Sequence, residues 1–168
     1  MPPPWWPGGG ELVADDVTVI ELRPGCVPVV LPGPPRQKLW RDTLDALAIA
    51  PGRRLRSTVD LEKFECPLSG HYRSTPVPLA SIRHLTQGAL GEVLSETGLK
   101  GRQAFMAVDQ QIYRRHAVTL IGNDREIFAK TAGLVGSVPQ YRMRMPHGLT
   151  DLIQRLADWS DRWREEEP

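Results

Sequence analysis

Two adjacent carboxylates, Asp15 and Asp16, stand between the run Glu11-Leu12-Val13-Ala14 and the alternating stretch Val17-Thr18-Val19-Ile20-Glu21-Leu22. Carboxylates at a strand tip are suited to holding a divalent cation and to steering or deprotonating a hydroxyl, the tasks that phosphoryl transfer asks of a protein. Like charges this close oppose each other's ionisation, so a bound cation such as Mg²⁺ favours the doubly charged pair. A plain solvated turn uses the same two residues. Positive charge is available at Arg36, Lys38, Arg54, Arg56 and Lys63. These side chains could meet phosphate oxygens or an acidic peptide, and a solvated basic edge accounts for them equally well.

Other chemistries lack their residues. His71, His84, His116 and His147 are scattered, with no serine elbow and no His-Glu-x-x-His run beside them, which removes the hydrolase and metalloprotease readings. Cys26 and Cys66 form no C-x-x-C and have no histidine at ligand spacing, so neither a disulfide framework nor a zinc site is expected. Twenty-one Lys and Arg against twenty Asp and Glu leave a net charge of +1, too small a field to recruit nucleic acid or an anionic membrane. No basic n-region leads into an apolar core and no window is long enough to cross a bilayer. A soluble cytoplasmic protein with reduced thiols is the expectation.

A chain of 168 residues with 40% hydrophobic content suits one core, and a single domain is expected over residues 11–164. Residues 1–10 are rich in Pro and Gly and read as disordered, with Trp5 and Trp6 available for contact. The sixteen Pro and fifteen Gly fall mainly before Gly91, so the first half reads as short strands in a mixed sheet and the second half as mostly helical. The fold class is therefore α/β with α+β character. Strands are expected at Val17–Leu22, Val27–Leu31, Val59–Cys66, Val77–Leu85 and Tyr141–Met145. Helices are expected at Lys38–Ile49, Ala89–Glu96, Arg102–Val118, from an Asn123 cap to about Ser137, and at Leu149–Trp163. Arg142 and Arg144 alternate on the late strand and should project to one side.

Several blocks, in order, carry a resemblance: Glu11-Leu12-Val13-Ala14-Asp15-Asp16-Val17, Leu31 to Asp42 around Pro34-Pro35-Arg36-Gln37-Lys38-Leu39-Trp40, Leu61-Glu62-Lys63, Val77 to Ile82, and Val138 to Met143. Together they resemble the HPr kinase-like P-loop serine kinases over nearly the whole chain, from about Glu11 to Trp159. The resemblance implies an ATP- and Mg²⁺-dependent kinase acting on a serine of a small protein or peptide. It makes Asp15 and Asp16 the acidic pair, one a Mg²⁺ ligand and the other the group that orients or deprotonates the serine, with Arg36 and Lys63 on the phosphate side.

The departures are equally specific. The family's phosphate loop, G-x-x-x-x-G-K-S/T, occurs nowhere in this sequence. Met-Pro-Pro-Pro-Trp-Trp-Pro-Gly-Gly-Gly precedes the pair instead, and consecutive prolines lack the N–H donors that a phosphate cradle requires. The E-x-R-G-x-G run of kinases that act on HPr itself is missing too. The expectation is an incomplete P-loop kinase-type fold, a carboxyl-terminal portion truncated on its N-terminal side, inactive alone and holding ATP and Mg²⁺ weakly or not at all. Apolar sheet left uncovered would favour homo-oligomers. The alternative is a non-catalytic accessory protein that docks a peptide or small protein on the same sheet.

Overall fold

A computed structural model describes residues 10–58, 61–68, 70–89, 92–120 and 122–146. The expected disordered start with Trp5 and Trp6, apart from Gly10, and the expected last helix lie outside these residues. Helices and small sheets are both present, which places the protein in the general α+β class. The chain separates into two compact units, one built on Leu31–Pro76 with the residues up to Val19, the other on Ile20–Val30 and Val77–Pro146.

The first unit holds a three-stranded sheet in the order β3-β5-β4, where β3 is Arg36–Trp40, β4 Arg53–Thr58 and β5 Leu61–Pro67. Both pairings are antiparallel. Side chains alternate across the sheet, so Leu39 and Phe64, opposite each other, share one face, while Arg36, Lys38, Lys63 and Glu65 share the other. Beneath the apolar face Leu44, Phe64 and Cys66 form a buried cluster, with Leu39 and Ile49 packed against it. Leu44 comes from helix α1, Arg41–Ala46.

The expected helix over Lys38–Ile49 is therefore a strand followed by a single short helix. Leu39, Trp40, Thr43 and Leu44 satisfy a helical period, but ladder pairing with β5 claims the first part. Ala48, with φ 51°, ends the turn ahead of Pro51. The basic cluster Arg53-Arg54-Arg56 is itself a strand, and its register slips between Arg54 and Arg56.

In the second unit, β1 (Val19–Glu21), β2 (Val29–Leu31) and β6 (Val77–Pro78) form a small sheet in that order. This agrees with the expected neighbours flanking Pro24-Gly25, though β1 starts later than the pattern suggested. The expected strand over Val77–Leu85 divides into β6 and β7 (Ile82–Gln87). β7 joins β8 (Ser95–Leu99) and β9 (Gln140–Met145) in a sheet ordered β7-β9-β8, with β7 and β9 parallel and β8 antiparallel to β9. The second half is thus a sheet with helices rather than mostly helical. The expected helix over Ala89–Glu96 fails because Val93 is 60% exposed while Leu94 is 7% exposed, so the two share no buried face, and Ser95 enters the ladder opposite Arg144.

Helices α2 (Gly101–Asp109), α3 (Arg115–Leu120) and α4 (Asp124–Ser137) link β8 to β9. The expected continuous helix over Arg102–Val118 breaks at residues 110–114, where Arg114 has φ 52°. Arg115 spans the break, binding Asp109 at the end of α2 (3.3 Å) and Asp124 at the start of α4 (2.6 Å). The Phe105 and Phe128 rings stack at a 5.0 Å centroid separation, joining α2 to α4. Asn123 occupies the expected cap position of α4, without a side-chain capping bond.

Candidate functional site

Asp15 and Asp16 are placed by backbone contacts on both sides of the segment before them. Leu12 pairs with Tyr72 in an isolated parallel bridge: its N–H donates to the His71 carbonyl (2.8 Å) and its carbonyl accepts from the Arg73 N–H (3.0 Å). The Gly33 N–H donates to the Val13 carbonyl at 2.8 Å, and the Tyr72 hydroxyl donates to the Gly33 carbonyl. A Cβ on Gly33 would sit 3.4 Å from that of Ala14, an ordinary van der Waals contact, so the two segments lie side by side there. Extended chain held this way delivers the two aspartates to β3. They occupy a bend, not the tip of a regular strand as their sequence neighbours suggest.

At β3 the two carboxylates do different things. The Asp15 Oδ2 accepts the Lys38 backbone N–H at 2.8 Å, which fixes the bend to the strand. The Asp16 carboxylate accepts from the ammonium of Lys38 at 2.8 Å and from that of Lys63 at 3.2 Å. Lys63 lies opposite Trp40 in the β3–β5 ladder, two positions from the residue opposite Lys38, so the two lysines are diagonal neighbours on one sheet face. Lys63 also stands 5.2 Å from the Trp40 ring centroid, a cation–π contact that orients its stem. The hydrogen bond from Lys38 holds the Asp16 carboxyl below the usual carboxylate range; partial burial opposes the shift and Lys63 adds to it.

Arg36, expected on the phosphate side, is instead ion-paired to Glu65. Arg53 contacts the same carboxylate at 3.2 Å. Desolvation pushes Glu65 up, and the two arginines more than offset it, so the group titrates below its usual range. Glu62 is likewise lowered, by hydrogen bonds from Arg54 and then Arg41. Along this sheet face four cations, Arg36, Lys38, Arg53 and Lys63, surround two carboxylates, Asp16 and Glu65. The face carries an excess of positive charge next to an ionised carboxylate, an arrangement able to receive phosphate oxygens and to accept a proton.

The donor set does not fit a resident Mg²⁺. Two ammonium groups occupy Asp16, a backbone N–H occupies one oxygen of Asp15, and among the described residues no group of three His, Cys, Asp or Glu converges. Hard divalent cations need several oxygens free of competing positive charge.

Lys38 is the member of the site that the sequence ranked too low. It was one of five scattered basic residues, and only strand register brings it beside Lys63 and the acidic pair, which lie 47 positions apart along the chain at Asp16 and Lys63. Comparison with family models, with curated proteins and with solved structures finds no match to this chain.

Proposed function

We propose that this chain is the acceptor-side portion of an HPr kinase-like serine kinase. ATP is the phosphoryl donor in this reading and a serine of a small protein or peptide is the acceptor. One observation carries it: three of the blocks on which the resemblance rests, at Asp15-Asp16, Arg36–Trp40 and Leu61-Glu62-Lys63, meet at the Asp16 carboxylate. Residues spread over the first 63 positions converge on one ionised group flanked by two ammonium groups.

The chemistry follows from the charges. An ionised Asp16 is the base for the serine hydroxyl, while Lys38 and Lys63, released from it as the substrate arrives, neutralise the transferring phosphoryl oxygens. Asp15 positions the strand through its bond to the Lys38 N–H. Arg36 and Arg53, already engaged by Glu65, supply field rather than direct contacts. No step runs through a metal ion.

The sequence has no phosphate loop, and backbone N–H groups of such a loop supply most of the grip on nucleotide in P-loop enzymes. Titration calorimetry with MgATP is therefore expected to give weak binding, in the range of about 1 mM or above, weakened further by Lys63→Gln. Micromolar binding abolished by Asp16→Asn would contradict the loop argument. Complete absence of a response favours the docking protein that lacks catalysis.

A further inference from the structure

A second cationic site lies wholly within the second unit. Between β7, β9 and α2 runs a groove of about 510 Å³, lined in part by His84, Leu85, Arg102, Gln103, Met106 and Arg142. Among the described residues, no acidic side chain lines it. This volume falls in the range of roughly 300–1,000 Å³ typical of small-molecule sites.

Its two arginines come from different elements. His84 and Arg142 stand opposite each other in the parallel β7–β9 ladder, so their side chains leave the same sheet face. Arg102 and Met106 are four residues apart in α2 and share one helix face. Among the described residues neither Arg102 nor Arg142 forms an ion pair, whereas Arg144, the next residue on that sheet face, is bound to Glu92 at 3.0 Å. Two guanidinium forks are thus available to one groove.

The imidazole opposite Arg142 is fixed. The Gln140 side chain, 3% exposed, donates its amide N–H to the Val138 carbonyl at 3.0 Å, which turns its Oε1 toward His84 Nε2 at 2.9 Å. His84 Nε2 therefore carries a hydrogen, and Nδ1 is the ring's other polar atom. Beside this polar wall Met106 is 43% exposed, whereas Leu85, one position on from His84, leaves the opposite sheet face. Large apolar side chains left open in a groove supply a surface for the organic part of a ligand.

We infer that this groove binds an organic phosphomonoester, its phosphate between Arg102 and Arg142 and its apolar body against Met106. A phosphomonoester carries about two negative charges at neutral pH and matches two guanidinium groups, whereas a carboxylate neutralises only one. The ester is either a free metabolite or a phosphoserine in a peptide, and both present the same dianion. The site makes no use of Asp16, so it stands or falls separately from the kinase reading.

The test is titration of the full chain with phenyl phosphate, followed by amide shifts in ¹H–¹⁵N spectra. Saturable shifts at Thr86, Gln103 and Arg142 are expected, and Arg102→Ala and Arg142→Ala should each weaken binding about fivefold or more. Arg102 sits in the exposed first turn of α2, so its replacement leaves the sheet intact if Arg142→Ala perturbs it. Met106→Ala should weaken phenyl phosphate while leaving inorganic phosphate unchanged. A parallel titration with N-acetylphosphoserine amide identifies the source: tighter binding than phenyl phosphate indicates a peptide ligand, weaker binding a free ester. Shifts that fail to saturate, or affinity unchanged by Arg102→Ala, would overturn the proposal.

Discussion

Asp16 is where residue chemistry decides the reading. Its carboxylate is 39% exposed, so the contacts from Lys38 and Lys63 are partly screened by water and salt, and their worth lies in placement more than in stability. The linkage has a definite sign. A carboxyl group whose folded pKa is depressed contributes stability that is fully present above its unfolded value and lost as pH falls through the folded value. The stability difference between the wild type and Asp16→Asn should therefore be constant from neutral pH down to the ordinary carboxylate range and vanish in stronger acid. Thermal unfolding of both proteins across that range measures it; a difference that is flat into strong acid would mean the lysines do not hold Asp16.

At the scale of elements, the site depends on the β3–β5–β4 sheet being rigid beneath it. Leu44, at 1% exposure, closes the apolar side of that sheet, and Leu44→Ala should cost about 2–5 kcal/mol in urea unfolding. Gly52 is under a second constraint. A methyl group there would collide with the Glu65 carbonyl oxygen, and since that atom belongs to backbone in β5 the ladder itself must shift. Gly52→Ala should cost about 1–3 kcal/mol, measured the same way, and should disturb Glu65 and its arginine partners. No loss of stability would show that β4 approaches β5 less closely than described.

Legibility in the sequence followed the same elements. The α4 helix is legible from its Asn123 start and the i, i+3 pair Thr131 and Leu134, both buried, and β9 from the alternation of Tyr141, Met143 and Met145. β4 was not, because Arg53, Arg54 and Arg56 leave no apolar alternation, and the strand exists through its ladder to β5. β3 looks helical in sequence because Leu39 and Trp40 fit two periods at once, and only the long-range partner Phe64 decides between them. Of the site itself, Asp15, Asp16 and Lys63 could be named from residue type and order. The diagonal meeting of Lys38 with Lys63 could not, since register between strands separated by more than twenty residues is a tertiary property.

For the whole molecule, a net charge of +1 means that function rests on local rather than global fields. Two such local fields stand out, one at Asp16 and one at the arginine groove, each inside a single compact unit. No helix among the described residues is long and apolar enough to cross a membrane. The sequence holds only four lysines, Lys38, Lys63, Lys100 and Lys130, so their side chains can be followed individually. The most direct measurement of the central claim is a titration with tripolyphosphate, which mimics the nucleotide's phosphate chain, read from the ¹³Cε signals of those lysines. Lys38 and Lys63 are expected to shift together and saturate while Lys100 and Lys130 stay in place. Equal response of all four, or none at Lys38 and Lys63, would contradict the claim.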